Sequence, residues 1–147
     1  MTSLRAAERL EIEQACERQI RRFAFFNDTQ QHQNLVDLFT EDGAFARPTE
    51  PDTVIQGRAA ILDFFVSRPA RLTRHLMCNT VVEVQSAEEA RAYSTVVLYI
   101  GDDSTSPAKL AATLIGGFAD TLRRVDEEWL FAARHGSLAI RGDGSGT

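Results

Sequence analysis

The stretch RAAILDFFVSRPARLTRHLMCNTVVEV, residues 58–84, changes its hydrophobic period in the middle, and that change sets the fold. Before Pro69, residues Ile61, Phe64 and Phe65 recur at the spacing of a helix face, and the proline stops the helix. Beyond it, residues 75–84 follow the two-residue period of a strand. Three more segments rich in β-branched and aromatic residues follow: ARAYSTVVLYI (90–100), AKLAATLIGGFADTLRRV (108–125) and EWLFAARHGSLAI (128–140). The joins QSAEEA, GDDSTSP and DE are short and polar, so the four strands are expected to run antiparallel as a meander. Gly116-Gly117, in mid-strand, marks a bulge or a sharp bend.

Upstream, residues 4–27 read as one long helix, with Ile12, Cys16, Ile20, Phe23 and Asn27 on a single stripe. Leu35, Leu38 and Phe39 keep the same period and predict a second, shorter helix over residues 30–40, ended by Gly43 in EDGAF. RPTEPDTVIQG (47–57) reads as a loop with short strand pieces on either side. Helices followed by a curled antiparallel sheet make an α+β layering. A strongly bent sheet wrapped over a long helix forms a cone, whose open mouth is a natural apolar pocket. One domain is expected over residues 1–141. The GDGSGT tail (142–147) has glycine-loop letters, but it neither follows a strand nor opens a helix and is expected to be disordered.

The net charge of −5 and the single lysine argue against a nucleic-acid surface, which needs clustered basic residues. Arg21-Arg22 and Arg123-Arg124 read as solvated faces. No apolar run is long enough to span a bilayer, and the charged N-terminal stretch lacks a signal-peptide core. Cys16 and Cys78 match no metal or redox spacing and read as buried thiols of a cytoplasmic protein. No zinc or haem ligand set is visible, so neither a metal nor a cofactor is expected.

Two polar residues stand out. Asp28 ends the aromatic stretch FAFFND; with Gln31 three residues on it fits a capping box for the second helix, worth roughly 1 kcal/mol. It also follows Ile20 and Ala24 at four-residue intervals, which leans it toward the covered side of the first helix, where the helix dipole disfavours a carboxylate. Periodicity leaves both readings open. His75 opens its strand, and alternation puts it on one face with Met77, Asn79 and Val81, opposite Leu76, Cys78, Thr80, Val82 and Val84. That face has the makeup of a pocket wall, and a partly exposed strand-end histidine with a satisfied Asn79 is the competing reading.

Together, FAFFND…NLVDLFTEDGAF, GRAAILDFF, RHLMCNTVVEV and LRRVDEEWLFAAR resemble the SnoaL-like group of the nuclear-transport-factor-2-like superfamily, over the chain to about residue 140. The resemblance implies a long helix packed in a cone-shaped, curved sheet, commonly as a homodimer. It also implies membership of a group that includes dehydratases, a dehydrochlorinase, isomerases and polyketide cyclases. Asp28 and His75 match the acid–base dyad of such enzymes. Five residues before the aspartate, dehydratase-like members carry a tyrosine and the dehydrochlorinase-like one a lysine, whereas this chain has Phe23, which can neither donate a proton nor hold an oxyanion. Arg134 matches a basic residue that follows the last-strand tryptophan and can anchor a substrate or leaving group. A solvated arginine is the competing reading, because an unbulged strand would set Trp129 and Arg134 on opposite faces.

A carboxylate bonded to one imidazole nitrogen fixes the tautomer and makes the other nitrogen a competent base. The resemblance therefore implies an acid–base enzyme acting by proton abstraction on a small hydrophobic ring compound, with His75 as base and Asp28 as its partner. The expected pocket wall is Phe23, Phe26, Asn27, Met77, Val81 and Leu98, with Asn79 and Arg134 as candidates to hold the substrate's oxygen. Tyr93 or Tyr99 could replace the missing acid, though core or rim packing also explains them. The alternative is a non-catalytic ligand-binding or assembly subunit, like the small subunit of ring-hydroxylating dioxygenases, and Phe23 favours it.

Overall fold

A computed structural model describes residues 3–143 of the chain. The elements are α1 (Ala6–Asp28), α2 (His32–Val36), β1 (Phe39–Ala46), β2 (Ile55–Gln56), α3 (Arg58–Ser67), β3 (Leu72–Val84), β4 (Glu89–Asp102), β5 (Lys109–Val125) and β6 (Glu128–Asp143). They form a single six-stranded sheet in the order β2-β1-β6-β5-β4-β3. Strands β3 to β6 are the predicted antiparallel meander. The strand β1 pairs parallel to β6, the one parallel contact in the described sheet. Architecture and class are α+β, a curved, mostly antiparallel sheet with its helices at the N-terminal side.

The stripe predicted on α1, Ile12, Cys16, Ile20, Phe23 and Asn27, is buried, and Ala24 beside it is buried too. Gln19 shares that face, and its Nε2 donates to the Trp129 carbonyl at 2.7 Å, so the amide is not left unpaired. At the centre of the core the Phe23 ring lies 5.7–6.2 Å from Phe39, Phe45, Phe65, Phe118 and Phe131, mostly edge-on. Such pairs add roughly 0.5–1.5 kcal/mol each to the value of burial.

The second helix is shorter than its periodicity predicts. Leu35 and Val36 are buried in α2, but the chain leaves the helix at Asp37, and Phe39 opens β1. Residues 39 and 40, read as the end of that helix, and the Gly43 read as its stop are therefore part of a strand. Phe39 and Phe45 are buried on its core side, and the register with β6 shifts between Phe39 and Ala44. Gly43 sits inside this irregular stretch, where an added Cβ would come within 3.0 Å of both Phe39 and the Thr40 carbonyl. It serves close packing and not a helix stop.

Bulges bend the sheet at three places that matter below. One lies between Cys78 and Val81 in β3; the other two each put an extra residue in β6, Ala139 against Ile115/Gly116 and Ala132 against Thr121/Leu122 of β5. The second is the break expected at Gly116-Gly117. Strand β6 continues through Asp143, and residues 144–147 of the expected tail lie outside the described residues.

Candidate acid–base site

Asp28 is the last residue of α1, and α1 packs against β3, which carries Thr73 and His75. Thr73 and His75 are two apart and so face the same side of the strand. The carboxylate is fully engaged there. Its Oδ1 accepts the Thr73 hydroxyl at 3.0 Å and lies 2.5 Å from His75 Nδ1, while Oδ2 accepts the His75 backbone N–H at 2.8 Å. Ring and backbone of the same histidine are thus held by one carboxylate. Both side chains are mostly shielded, His75 at 16% and Asp28 at 11% exposure.

The capping reading of Asp28 does not survive this geometry. The residue before α2 is Gln31, no side chain caps that helix, and both Asp28 oxygens are turned toward β3. The physical reason is the turn between the helices: Gln30 adopts a φ of 60°, which separates the end of α1 from the start of α2. In the neutral imidazole, a carboxylate against Nδ1 favours the tautomer with its proton there, which leaves the lone pair on Nε2.

His75 lines an apolar cavity of about 240 Å³ between α1, α3 and the inner faces of β4, β5 and β6. Phe23, Asn27, Met77 and Leu98 line it too. His75 is paired directly with Leu98, and Met77 with Val96, so these four side chains form one patch of wall.

Four predicted wall residues lie elsewhere. The bulge after Cys78 reverses the alternation of β3; Asn79 sits in it with a φ of 49°, and Val81 emerges on the outer face opposite Tyr93, 55% exposed. Neither lines the cavity. Phe26 is half-buried on the flank of α1, ring to ring with exposed Phe25. Arg134 is fully buried behind the wall, because the irregularity at Thr121/Leu122 brings it to the same side of β6 as Trp129 and Phe131. Its guanidinium packs on Phe118, Phe23 and Phe131 at 3.9, 4.5 and 4.7 Å, and Nη1 donates to Asp120 Oδ2 at 2.8 Å. It is neither a solvated arginine nor a wall residue. Burial pushes the Asp120 carboxyl up to about 6, with Arg134 pulling the other way. Tyr93 and Tyr99 are on the outer sheet face, each 44% exposed, so neither supplies an acid to the cavity.

Two contributors escape sequence reasoning. Thr73 grips Asp28, and its position two residues before His75 is the signal that could have found it. Arg68, at the end of α3, reaches the cavity and donates to Asn27 Oδ1 at 3.2 Å. Among the described residues no three His, Cys, Asp or Glu side chains cluster as a metal site, and no helix is long and apolar enough to cross a membrane.

The model of the SnoaL-like domain matches residues 8–135. No curated protein matches the sequence. Among solved structures, a provisionally named scytalone dehydratase from Novosphingobium aromaticivorans is 24% identical with a TM-score of 0.82, over 95% of this chain and 91% of that one. A type 2 hexachlorocyclohexane dehydrochlorinase, LinA, is 17% identical with a TM-score of 0.82, over 97% and 95%. An NTF2-like protein with a cystatin-like fold, also from N. aromaticivorans, is 24% identical with a TM-score of 0.71, over 95% and 89%. At these identities the likeness establishes the shared fold.

Proposed function

The chain belongs to the SnoaL-like domain family, and from that premise we propose that it is an acid–base enzyme that abstracts a proton from a small hydrophobic ring compound. His75 Nε2 is the base, and Asp28 holds the ring and stabilises the imidazolium that forms. The observation that carries this reading is the double grip of Asp28 on His75 at the wall of an apolar cavity. Positioned proton transfer of this kind contributes a factor of about 10²–10⁴. The fold neighbours named a dehydratase and a dehydrochlorinase are consistent with chemistry that starts by removing a proton.

Elimination, double-bond migration and intramolecular ring closure all begin with that step. Phe23 narrows the choice. It is packed among five other aromatic rings and has no proton to give, so a route that needs a phenolic acid at this position does not suit the site. We further propose a homodimer formed through the outer face of β3 and β4, where Leu76, Tyr93 and Tyr99 are exposed, and a cytoplasmic location.

The test is turnover of a panel of alicyclic, aromatic and halogenated ring compounds by wild type and His75→Ala. A loss of about 10²–10⁴ in kcat/KM for the variant supports the base assignment, and equal turnover overturns it. Nitrogen-15 NMR of His75 provides a substrate-free check. The Nδ1-protonated tautomer should dominate in wild type and lose its dominance in Asp28→Asn. Ligand binding without turnover in either protein would favour a purely binding role.

A further inference from the structure

Arg47, Arg68, Arg71 and Arg141 line the cavity in a chain whose net charge is −5, and Arg71 and Arg47 lie close enough to Arg68 to repel its charge. Arg68 is the most constrained of them. Its guanidinium carbon lies 4.7 Å from the Phe65 ring centroid and 5.1 Å from that of Phe64, so the group rests on two aromatic faces. A single hydrogen bond, to Asn27 Oδ1, engages its donors.

Among the side chains that the structure describes, which leave out that of Asp143, no carboxylate lies within ion-pair distance of Arg68 or Arg71. Glu50, beside the cavity-lining Arg47, pairs with it at 2.6 Å, and Asp28 is taken up by Thr73 and His75. Burial, followed by repulsion from Arg71 and Arg47, lowers the Arg68 guanidinium to about 10, which leaves it charged at neutral pH. A half-buried cation among cations is costly unless something anionic completes it. Guanidinium is suited to that partner, because its planar donors match a carboxylate in a bidentate pair.

Most of the remaining wall is hydrocarbon, Met77, Val96, Leu98 and Leu114 among others, with Asn27, Thr49 and His75 as its other polar members. Asn27 joins the two halves of the site, since it accepts from Arg68 and immediately precedes Asp28. His75, Arg68 and Arg71 also share a second, smaller cleft.

We propose that the ligand of this site is a hydrophobic ring compound bearing a carboxylate, with its acid group seated on Arg68 and Arg71 and its ring against Met77 and Leu98, beside His75. The assignment deepens the acid–base reading and rests on it for the chemistry, but the binding itself does not require a base.

Calorimetry with 2-naphthoate and its neutral isostere 2-naphthamide tests the proposal. Wild type should bind the anion at least about tenfold tighter, a difference of about 1.4 kcal/mol, and the gap should narrow as salt is raised. Arg68→Gln should abolish the preference, and Arg71→Gln, at an exposed position, should reduce it without endangering the fold. His75→Ala should keep it. Equal binding of the two compounds, no binding of 2-naphthoate, or a preference unchanged in both arginine variants overturns the proposal. The His75→Ala arm separates the two readings: unchanged anion preference together with unchanged turnover removes the base and leaves the carboxylate site standing.

Discussion

Arg134 donates from Nη1 to Asp120 Oδ2 at 2.8 Å with neither side chain exposed to solvent. The pair stands behind the cavity wall, roofed by Phe23, Phe118 and Phe131. Its satisfaction is incomplete: Asp120 Oδ1, Arg134 Nε and Nη2, and the nearby buried Ser94 Oγ have no protein partner. Two desolvated charges with spare donors and acceptors make weak evidence for stability, because mutual attraction must first offset the cost of leaving water.

The pair should therefore be far more sensitive to halving than to replacement. Asp120→Leu leaves an uncompensated guanidinium in the core and should cost about 3–5 kcal/mol, whereas Arg134→Met combined with Asp120→Leu should recover most of that loss. Urea unfolding of the two singles and the double gives the coupling directly. Additive losses would mean that the two side chains do not act as a pair.

Stability should also depend on pH through Asp120. Burial raises its carboxyl from 3.8 to about 6, so between roughly pH 4 and pH 6 the folded chain holds a proton that the unfolded chain has released. The group's contribution is then full below its unfolded value and is lost as pH rises through about 6. The stability advantage of wild type over Asp120→Asn should shrink across that window and level off above it, as followed by urea midpoints at successive pH values. An advantage that grew with pH would show that the attraction of Arg134 outweighs burial.

Most of the architecture is legible from local periodicity, because α1, α3 and β3 to β6 each carry their buried face within one segment. The strand β1 is not. FTEDGAFA holds two acids and a glycine, and its strand character comes from pairing with β6 some ninety positions away. The site divides the same way. Asp28, Phe23, Asn27, His75, Met77 and Leu98 occupy regular helix or strand positions, where alternation locates the side chain. Asn79, Val81 and Arg134 lie at or beyond bulges, and no Gly or Pro in NTVV or FAARH announces them. A one-residue bulge reverses every face that follows it. Arg68 is not legible in the sequence, because a charged residue at a helix end has a ready solvent reading.

Thr73 should act on the chemistry only through Asp28. Its hydroxyl shares Oδ1 with His75 Nδ1, so Thr73→Val removes one restraint on the carboxylate and leaves the histidine contact. A drop of about tenfold in kcat, near 1.4 kcal/mol, is expected with KM little changed. The His75 tautomer signal should weaken in parallel. Unchanged kcat with an intact tautomer signal would reduce Thr73 to a packing residue.

Gly116 should prove indispensable for the bend that closes the cavity. It lines the cavity opposite the bulge of β6, and a Cβ built there would sit 2.2 Å from the Ser137 carbonyl oxygen, a backbone atom that cannot swing aside. Gly116→Ala must push β5 and β6 apart, at a cost of about 1–3 kcal/mol. Gly142→Ala supplies the control, since its nearest neighbour would be the Thr113 carbonyl at 3.6 Å, an ordinary contact, and its effect should stay within about 0.5 kcal/mol. Thermal unfolding compares the two, and hydrogen exchange at residues 115–117 and 137–138 should rise only in Gly116→Ala. Equal stabilities would mean that the β5–β6 bulge relaxes freely and that the cavity's curvature is set elsewhere.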